Sequence, residues 1–218
     1  MLVSDHDRTM DTNQWRQLQE ECDRVAEAHD FIIVPGVEYQ DPDHIVHIPV
    51  FGRMPFEHRS PDISRLLRRA DDFGAAAIFA HPRRRDAWTR FSSEWAPHLA
   101  GIEVWNRKYD GIAPNSWAFE TARAFGLMPT VALDWHGPRQ LVGLAIEVPV
   151  PAPGSNATRS TAVVASIVSG DARSSAFGIR VENFSEGALG ALFRGSEQVR
   201  QWAAPKIRSL ESLIKRRN

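Results

Sequence analysis

The residues of this sequence that are most capable of chemistry are histidines and carboxylates at the ends of short apolar runs. His6 follows LVSD, Glu38 follows FIIVPGV, His81 follows AAAIFA, and Asp134 and His136 follow MPTVAL. Neutral imidazoles and carboxylates are common ligands of zinc, manganese and iron, and a carboxylate can bridge two ions. The pattern therefore predicts a divalent metal site, provided that the fold brings these run ends together.

The spacing within two of these groups indicates which side chains share a face. Asp134 and His136 are two residues apart, so on an extended chain both point to one side and Trp135 points to the other. His44 and His47 are three apart, so at most one of them faces the site. Spacing alone does not choose between these two histidines.

Each candidate also has a purely structural interpretation. A lone histidine after a buried strand, such as His6 or His81, is more often a hydrogen-bonded structural residue than a ligand. Glu38 could be an ordinary turn carboxylate, because it follows a Pro-Gly-Val segment. For Asp134 and His136 function is favoured, because a buried carboxylate beside an imidazole needs a partner and a metal ion supplies one.

Basic residues near the same run ends are candidates for binding the substrate. Arg83 opens a run of three arginines, and a guanidinium can bind a phosphate through two hydrogen bonds. A solvated loop would explain this run equally well. Arg107 is the second candidate, although Arg107 or Lys108 could instead form a surface ion pair with Glu103, which is the favoured interpretation of that carboxylate.

Alternating elements are needed to position these residues, and the sequence predicts them. β-rich runs interspersed with helical segments indicate an α/β fold with a mainly parallel sheet or barrel. In a βα-barrel the carboxyl ends of the strands converge on one rim, so the candidates would become neighbours. The predicted strands cover Met1–Ser4, Phe31–Val37, Ile45–Phe51, Ala75–Ala80, Gly101–Trp105 and Met128–Leu133, and the helices cover Asp11–Ala28, a segment opened by Ser60 and Pro61, and Pro114–Phe125.

Three regions are predicted along the chain. Residues 1–148 form the barrel domain, and the Pro-, Gly- and Ser-rich stretch PVPAPGSNATRS makes residues 149–160 a linker or loop. Residues 161–218 are predicted to be a partly helical segment that packs on the barrel. Its predicted helices cover Thr161–Ser169 and Gln198–Lys215.

Length and composition restrict the class of protein. The 218 residues carry a formal net charge of −1 and are 43% hydrophobic, which fits one globular domain without a global field that attracts nucleic acid or anionic lipid. No apolar stretch approaches the ~18 residues of a membrane span, and the single cysteine excludes an internal disulfide. We therefore predict a cytoplasmic protein that forms no stable nucleic-acid complex.

Six short fragments occur in an order and with gaps that resemble the polymerase and histidinol phosphatase (PHP) superfamily. They are SDHD, PGVEY, HIPVFG, IFAHP, IEVWN and ALDWHG, and the resemblance extends over residues 2–137. It implies a distorted seven-stranded βα-barrel. It also implies hydrolysis of phosphoesters with two or three bound divalent ions, commonly zinc, manganese or iron.

The resemblance further implies roles for individual residues. His47 stands just before the apolar run that ends in Gly52, as the corresponding ligand of the family does, whereas His44 does not. Asp134, His136 and His6 would take part in catalysis. The implied metal ligands are His6, Glu38, His47, His81, Asp134 and His136.

One motif of the family is not present in this sequence. Members open with a strand that bears a His-x-His pair, before the segment that corresponds here to Ser4–Asp7. We therefore expect a barrel of the (β/α)7 type without its first βα segment, with fewer bound ions and a helical C-terminal tail. The unpaired sheet edge could be covered by another element or by another chain, and in the second case the protein would form an oligomer.

These features together predict a metal-dependent phosphoesterase that uses metal-activated water on a small phosphorylated substrate or nucleotide. Two alternatives stay open. The missing His-x-His pair favours a degenerate, non-catalytic binding module. Barrels with His and Asp at their strand ends also serve metal-dependent amidohydrolases, which cleave C–N bonds.

Overall fold

The computed structural model describes the backbone of residues 1–215 and the side chains of residues 1–138 and 140–205. The predicted segment 161–218 therefore ends in three residues, 216–218, that lie outside the described part. The main element is a six-stranded sheet, and each of the predicted runs overlaps one of its strands. The strands are β1 Leu2–His6, β2 Val34–Gln40, β3 His47–Phe51, β4 Ala76–Phe79, β5 Gly101–Asn106 and β6 Met128–Ala132.

The six strands are hydrogen-bonded in chain order. β1 is parallel to β2, and β4, β5 and β6 run parallel to one another, whereas β3 is antiparallel to both of its neighbours. The chain thus has a mixed α/β fold with parallel pairing at both ends of the sheet. Within the described residues β1 and β6 are the end strands, and closure of a seven-stranded barrel stays a prediction.

The antiparallel step between β2 and β3 follows from their short connection, because parallel strands need a much longer crossover. The Asp41 carboxylate accepts the backbone N–H groups of Ile45 at 2.6 Å and Val46 at 2.9 Å, which fixes the turn. On the strands themselves, Gly36 lies opposite Phe51, and a Cβ at this glycine would come within 2.6 Å of the Phe51 ring. The close approach of the two strands therefore requires a residue without a side chain.

The three predicted helices are present, and each begins at a polar cap. Asp11, Asp62 and Asn115 accept backbone N–H groups of the first turn, which stabilises each helix by about 1 kcal/mol. The last helix ends at Gly126, whose φ of 67° is the left-handed conformation that glycine adopts without strain. The helices are α1 Thr12–Ala28, α2 Ile63–Asp72 and α3 Ser116–Phe125.

The packing of α2 shows how periodicity fixes these helices on the sheet. Ile63, Leu66, Leu67 and Ala70 occur at helical spacing, and each is at most 5% exposed. Burial of a leucine side chain contributes about 1.5–3 kcal/mol, so this face holds the helix firmly. On α1, the Trp15 indole is buried and donates a hydrogen bond to the Met54 carbonyl at 2.9 Å.

A second, three-stranded antiparallel sheet was not predicted. It consists of β7 Leu144–Glu147, β8 Arg173–Ala176 and β9 Ile179–Arg180, and β7 and β8 lie beside β6 of the main sheet. β7 belongs to the predicted barrel domain, and β8 belongs to the predicted C-terminal segment. The two segments therefore share one sheet.

The predicted linker 149–160 is shorter in the structure, because α4, Asn156–Val168, begins within it. The Ser155 side chain caps this helix by accepting the Thr158 N–H. Asn156 then ties the helix to the main sheet, since its amide exchanges two hydrogen bonds of 2.9 Å with the backbone of Ile33. The final helix, α5, covers Gly187–Lys215 and begins earlier than the predicted Gln198. None of the described helices combines the length and apolar character that crossing a membrane requires.

Candidate metal centre

Sheet register brings the candidate ligands to one end of the main sheet. In the parallel β1–β2 pair, His6 lies opposite Glu38 where both strands approach their carboxyl ends. β3 begins at His47, which lies opposite Gln40 on the other side of β2. His81 follows the end of β4. Four chain segments that are distant in sequence thus meet at the same place.

Glu38 is the centre of a group that we call the histidine–glutamate cluster (His6, Glu38, His47 and His81). Its Oε1 atom contacts His47 Nδ1 and lies 3.2 Å from His81 Nε2, and its Oε2 atom lies 3.5 Å from His6 Nδ1. The side chains of His47 and His81 are only 3% and 5% exposed, whereas that of His6 is 29% exposed. One ligand atom each from His6, Glu38 and His47 lie within 4.8 Å of one another.

Burial and the Glu38 carboxylate together set the protonation of the cluster. Burial alone would raise the pKa of Glu38, but the facing His47 and His81 rings outweigh it and hold that pKa well below its usual range. Burial lowers the pKa of His47 despite its contact with Glu38. Burial also acts to lower the pKa of His81, but Glu38 and the nearby Glu103 outweigh it, so this pKa is raised. The cluster therefore contains an ionised carboxylate at neutral pH.

The donor set of the cluster fits a divalent metal ion. His47 Nε2 and His81 Nδ1 are buried and have no hydrogen-bond partner in the described part of the chain. A buried polar atom that lacks a hydrogen-bond partner costs free energy, and a cation or a proton bound to that atom removes this cost. One carboxylate and three imidazoles are ligands that suit zinc, manganese or iron.

The structure separates His47 from His44, which spacing could not do. His44 is exposed, and its Nδ1 atom lies 3.0 Å from Gln40 Oε1 rather than in the cluster. The Gln40 amide nitrogen in turn donates to His6 Nδ1 at 2.8 Å. Gln40 is 2% exposed, so a buried amide orients one of the candidate ligands. Sequence reasoning missed this residue, although its position two residues after Glu38 places it on the same face of β2.

Glu103 lies behind the cluster, so the predicted surface ion pair with Arg107 or Lys108 is wrong. The residue is 6% exposed, and its Oε2 atom accepts the His81 backbone N–H at 2.8 Å and the Asn106 side-chain amide at 2.9 Å. Burial raises its pKa. The signal that could have found it is the β-rich run GIEVWN, because a strand buried along its whole length leaves no exposed position for a carboxylate.

Two candidate ligands stand on strained backbone. His81 has a φ of 30° and Asp134 a φ of 47°, in the left-handed region that residues with side chains seldom adopt. Such strain costs about 1–3 kcal/mol per residue and is concentrated at functional sites. Both positions lie just after the ends of strands, His81 after β4 and Asp134 after β6.

Asp134 and His136 lie at a more exposed rim, together with Lys108, and we call these three residues the rim group. Asp134 Oδ1 lies 3.2 Å from His136 Nδ1, while Trp135 between them is 54% exposed. The Lys108 ammonium lies 3.5 Å from Asp134 Oδ1 and 3.1 Å from His136 Nε2. Among the described residues, the close group of ligand atoms includes neither Asp134 nor His136.

One cavity extends from the histidine–glutamate cluster to Asp134 and His136 of the rim group. Its volume is about 680 Å³, and both end strands of the main sheet, β1 and β6, contribute to its wall. Sites for small molecules commonly have volumes of about 300–1,000 Å³. His6, Glu38, His81, Asp134 and His136 line its polar part, and its apolar wall includes Leu2, Val34, Ile78, Val131, Ile146 and Val163.

The chain is similar to several solved structures at low sequence identity. A candidate metal-dependent phosphoesterase from Bifidobacterium adolescentis is 16% identical, with a TM-score of 0.45 over 62% of this chain and 77% of that chain. A two-domain protein from Bacteroides vulgatus that contains a predicted PHP-like metal-dependent phosphoesterase is 18% identical, with a TM-score of 0.42 over 60% of this chain and 40% of that chain. PsfC from Pseudomonas syringae is 15% identical, with a TM-score of 0.44 over 64% of each chain.

The chain covers only part of each of these structures, from 40% to 77% of their length. No protein-family model and no curated protein matches the sequence.

The predicted substrate-binding arginines have different surroundings. Arg83 is partly exposed, and its Nε atom lies 4.0 Å from the buried carboxylate of Asp110. Burial raises the pKa of Asp110 to about 7. Arg107 follows β5, and its backbone N–H donates to the Ala132 carbonyl at 2.9 Å. Neither arginine is among the described residues that line the cavity, so their contact with a substrate stays a prediction.

Proposed function

We propose that this chain is a metal-dependent hydrolase of the phosphoesterase type, and that the histidine–glutamate cluster holds its ion. The observation that carries this proposal is the convergence of His6, His47 and His81 on the ionised Glu38 carboxylate at the wall of a cavity. The motifs that resemble the PHP superfamily contribute the same four residues. Zinc, manganese and iron are the ions that suit this donor set.

In this proposal the residues of the histidine–glutamate cluster have two roles in hydrolysis, metal binding and proton donation. A divalent ion held by the histidine–glutamate cluster, with Glu38, His6 and His47 offering the closest group of ligand atoms, would supply a Lewis acid that polarises a phosphoryl oxygen and lowers the pKa of water. His47 and His81 are almost fully buried, so their rings are held in place by packing. His6 is more exposed and lines the cavity, and its second ring nitrogen could give a proton to the leaving oxygen.

We further propose that the substrate is a small phosphorylated molecule or a nucleotide. The Lys108 ammonium contacts Asp134 and His136, which line the cavity, and its charge favours an anionic group beside them. Asp134 and His136 would orient the substrate beside it. The apolar wall offers surface for the organic part of a phosphoester.

Metal content and turnover test this proposal together. The purified chain is stripped with a chelator, reloaded with manganese or zinc, and assayed with aryl phosphate monoesters and diesters. We expect bound metal and hydrolysis in the unchanged chain, and loss of both in His47→Ala. His98→Ala is the matched control, because this partly exposed histidine pairs with Asp71 outside the cavity and should keep both. An unchanged chain that binds less than one equivalent and hydrolyses nothing would contradict the proposal.

A non-catalytic metal-binding module is the second candidate. The pairing of Asp134 and His136 with Lys108, rather than with the cluster, favours it. Full metal occupancy without turnover of any phosphoester would select this alternative. Amides and lactams in the same assay would reveal C–N bond hydrolysis.

A further inference from the structure

Lys108 is placed where two ligand-type side chains meet. Its Nζ atom lies 3.5 Å from Asp134 Oδ1, 3.1 Å from His136 Nε2 and 3.4 Å from His136 Nδ1. A carboxylate and an imidazole that face each other at a cavity rim are the kind of pair that binds a metal ion. Here the positive charge between them belongs to the protein.

The surroundings of Lys108 distinguish it from an ordinary surface ion pair. The ammonium lies 5.2 Å from the centre of the Tyr109 ring, and this ring packs 5.0 Å from the ring of His81. The Lys108 side chain is 33% exposed, whereas ordinary surface pairs involve long, freely exposed side chains. A chain of contacts therefore runs from the ammonium to the histidine–glutamate cluster.

The hydrogen bonds of His136 are compatible with a permanent ammonium partner. His136 Nδ1 lies 2.8 Å from the Asp134 carbonyl oxygen, which can only accept, so the proton belongs on Nδ1. His136 Nε2 then carries a lone pair and accepts a hydrogen bond from Lys108. The ammonium also lies 3.5 Å from Asp134 Oδ1, so it faces the carboxylate as well as the imidazole.

We propose that Lys108 takes the place of a second metal ion, so that the chain binds a single divalent ion in the histidine–glutamate cluster. The proposal rests on the proposed function, because it requires that the cluster binds metal. A cation at Asp134 and His136 would have to displace the ammonium or remain within a few ångströms of it, and the repulsion disfavours both. The lysine then offers N–H donors to an anionic substrate without a second ion.

Metal stoichiometry tests this inference directly. The full chain and its Lys108→Met variant are loaded with manganese or zinc, freed of excess ion by gel filtration, and measured by elemental analysis and calorimetric titration. We expect one ion per chain before the substitution and two after it. The Lys108→Arg variant keeps the positive charge, so its chain should still bind one ion. Arg90→Met is the matched control, because Arg90 is exposed and its guanidinium lies 3.4 Å from the Asp43 carboxylate. The chain with this substitution should also bind one ion.

The outcomes separate this inference from the proposed function. One ion in both the unchanged chain and Lys108→Met would overturn the inference and leave the proposed function standing. Two ions in the unchanged chain would also overturn it. A chain that binds no metal would overturn both. Should Lys108→Met fail to fold, Lys108→Gln carries the same expectation of a second ion, and adding Asp134→Asn to either variant should abolish that second ion.

Discussion

The two halves of the candidate site are held by different forces. The histidine–glutamate cluster is largely buried, and strand register fixes His6 opposite Glu38. The rim group stands in turns after β5 and β6, and the His136 side chain is 56% exposed. The His47 and His81 side chains of the cluster are almost fully buried, whereas solvent reaches His136 at the rim. Substitutions should therefore have large effects in the cluster and its support, and small effects at the rim.

The largest effect should follow from Glu38→Ala, because this removes the carboxylate that three imidazoles share. Loss of an outer-shell partner alone typically costs 10–100-fold in metal affinity, so we expect a loss of more than about 100-fold here. Calorimetric titration with zinc measures it. Glu197→Ala is the control, because this carboxylate bonds to Arg200 away from the cavity. Equal metal binding by the two variants would remove the distinction between the halves of the site.

Asp110 is a second buried carboxyl near the cluster, and we predict that it makes the stability of the chain depend on pH. Burial raises its pKa to about 7, from 3.8 for an exposed aspartate. Between pH 4 and pH 7 the Asp110 carboxyl keeps its proton in the folded chain but has lost it in the unfolded chain. The contribution of this carboxyl to stability is therefore fully present below pH 4 and is lost as pH rises through 7. Asp110→Asn has no such proton. Its free energy of unfolding relative to the unchanged chain should therefore rise between pH 4 and pH 8, by roughly 4 kcal/mol at most.

Urea unfolding at pH 4, 6 and 8 checks this prediction. Asp62→Asn is a suitable control, because this exposed carboxylate caps α2 and asparagine is an equally good cap. The difference between the control and the unchanged chain should vary little with pH. Parallel curves for Asp110→Asn and the unchanged chain would show that Asp110 is ionised in the folded state.

Substitution of Glu103, which accepts the His81 backbone N–H behind the cluster, should have a smaller effect on the free energy of unfolding. Glu103→Leu leaves the His81 N–H and the Asn106 amide without their acceptor, and each unsatisfied buried group costs about 1–3 kcal/mol. Part of this is offset because a buried carboxyl is removed, so we expect a net loss of about 2 kcal/mol in the free energy of unfolding. Glu103→Gln retains an oxygen that can accept the His81 N–H and should recover most of the loss. A stable Glu103→Leu protein with unchanged metal affinity would mean that His81 needs no support.

The strands, the helices and the neighbourhood of His6 and Glu38 could be predicted because they depend on local pattern. The apolar spacing of Leu66 and Ala70 on α2 shows the buried face directly. His6 and Glu38 each end an apolar run, and parallel pairing places such ends side by side. These features need only the period of a helix or strand and the ends of the runs.

The second sheet and the surroundings of the site could not be predicted in the same way. β8 has the sequence RSSA, which carries almost no apolar signal, and it becomes a strand by pairing with β7, some thirty residues earlier, and with β9. Gln40 and Lys108 acquire their roles from residues that other strands bring near. Turn geometry and non-local contacts decide these positions, and neither follows from the period of the chain.

The smallest effect is expected at the rim, where it separates the two halves most sharply. Asp134→Asn and His136→Ala should each change the affinity for the first metal ion by less than about fivefold, because both side chains pair with Lys108 rather than with Glu38 and such a pair contributes about 1 kcal/mol or less. The measurement is the same zinc titration that is used for Glu38→Ala. Phosphoester turnover should nevertheless fall in both variants if the rim group orients the substrate. A loss of metal affinity as large as that of Glu38→Ala would instead make Asp134 and His136 ligands of the same ion, which would join the two halves into one centre.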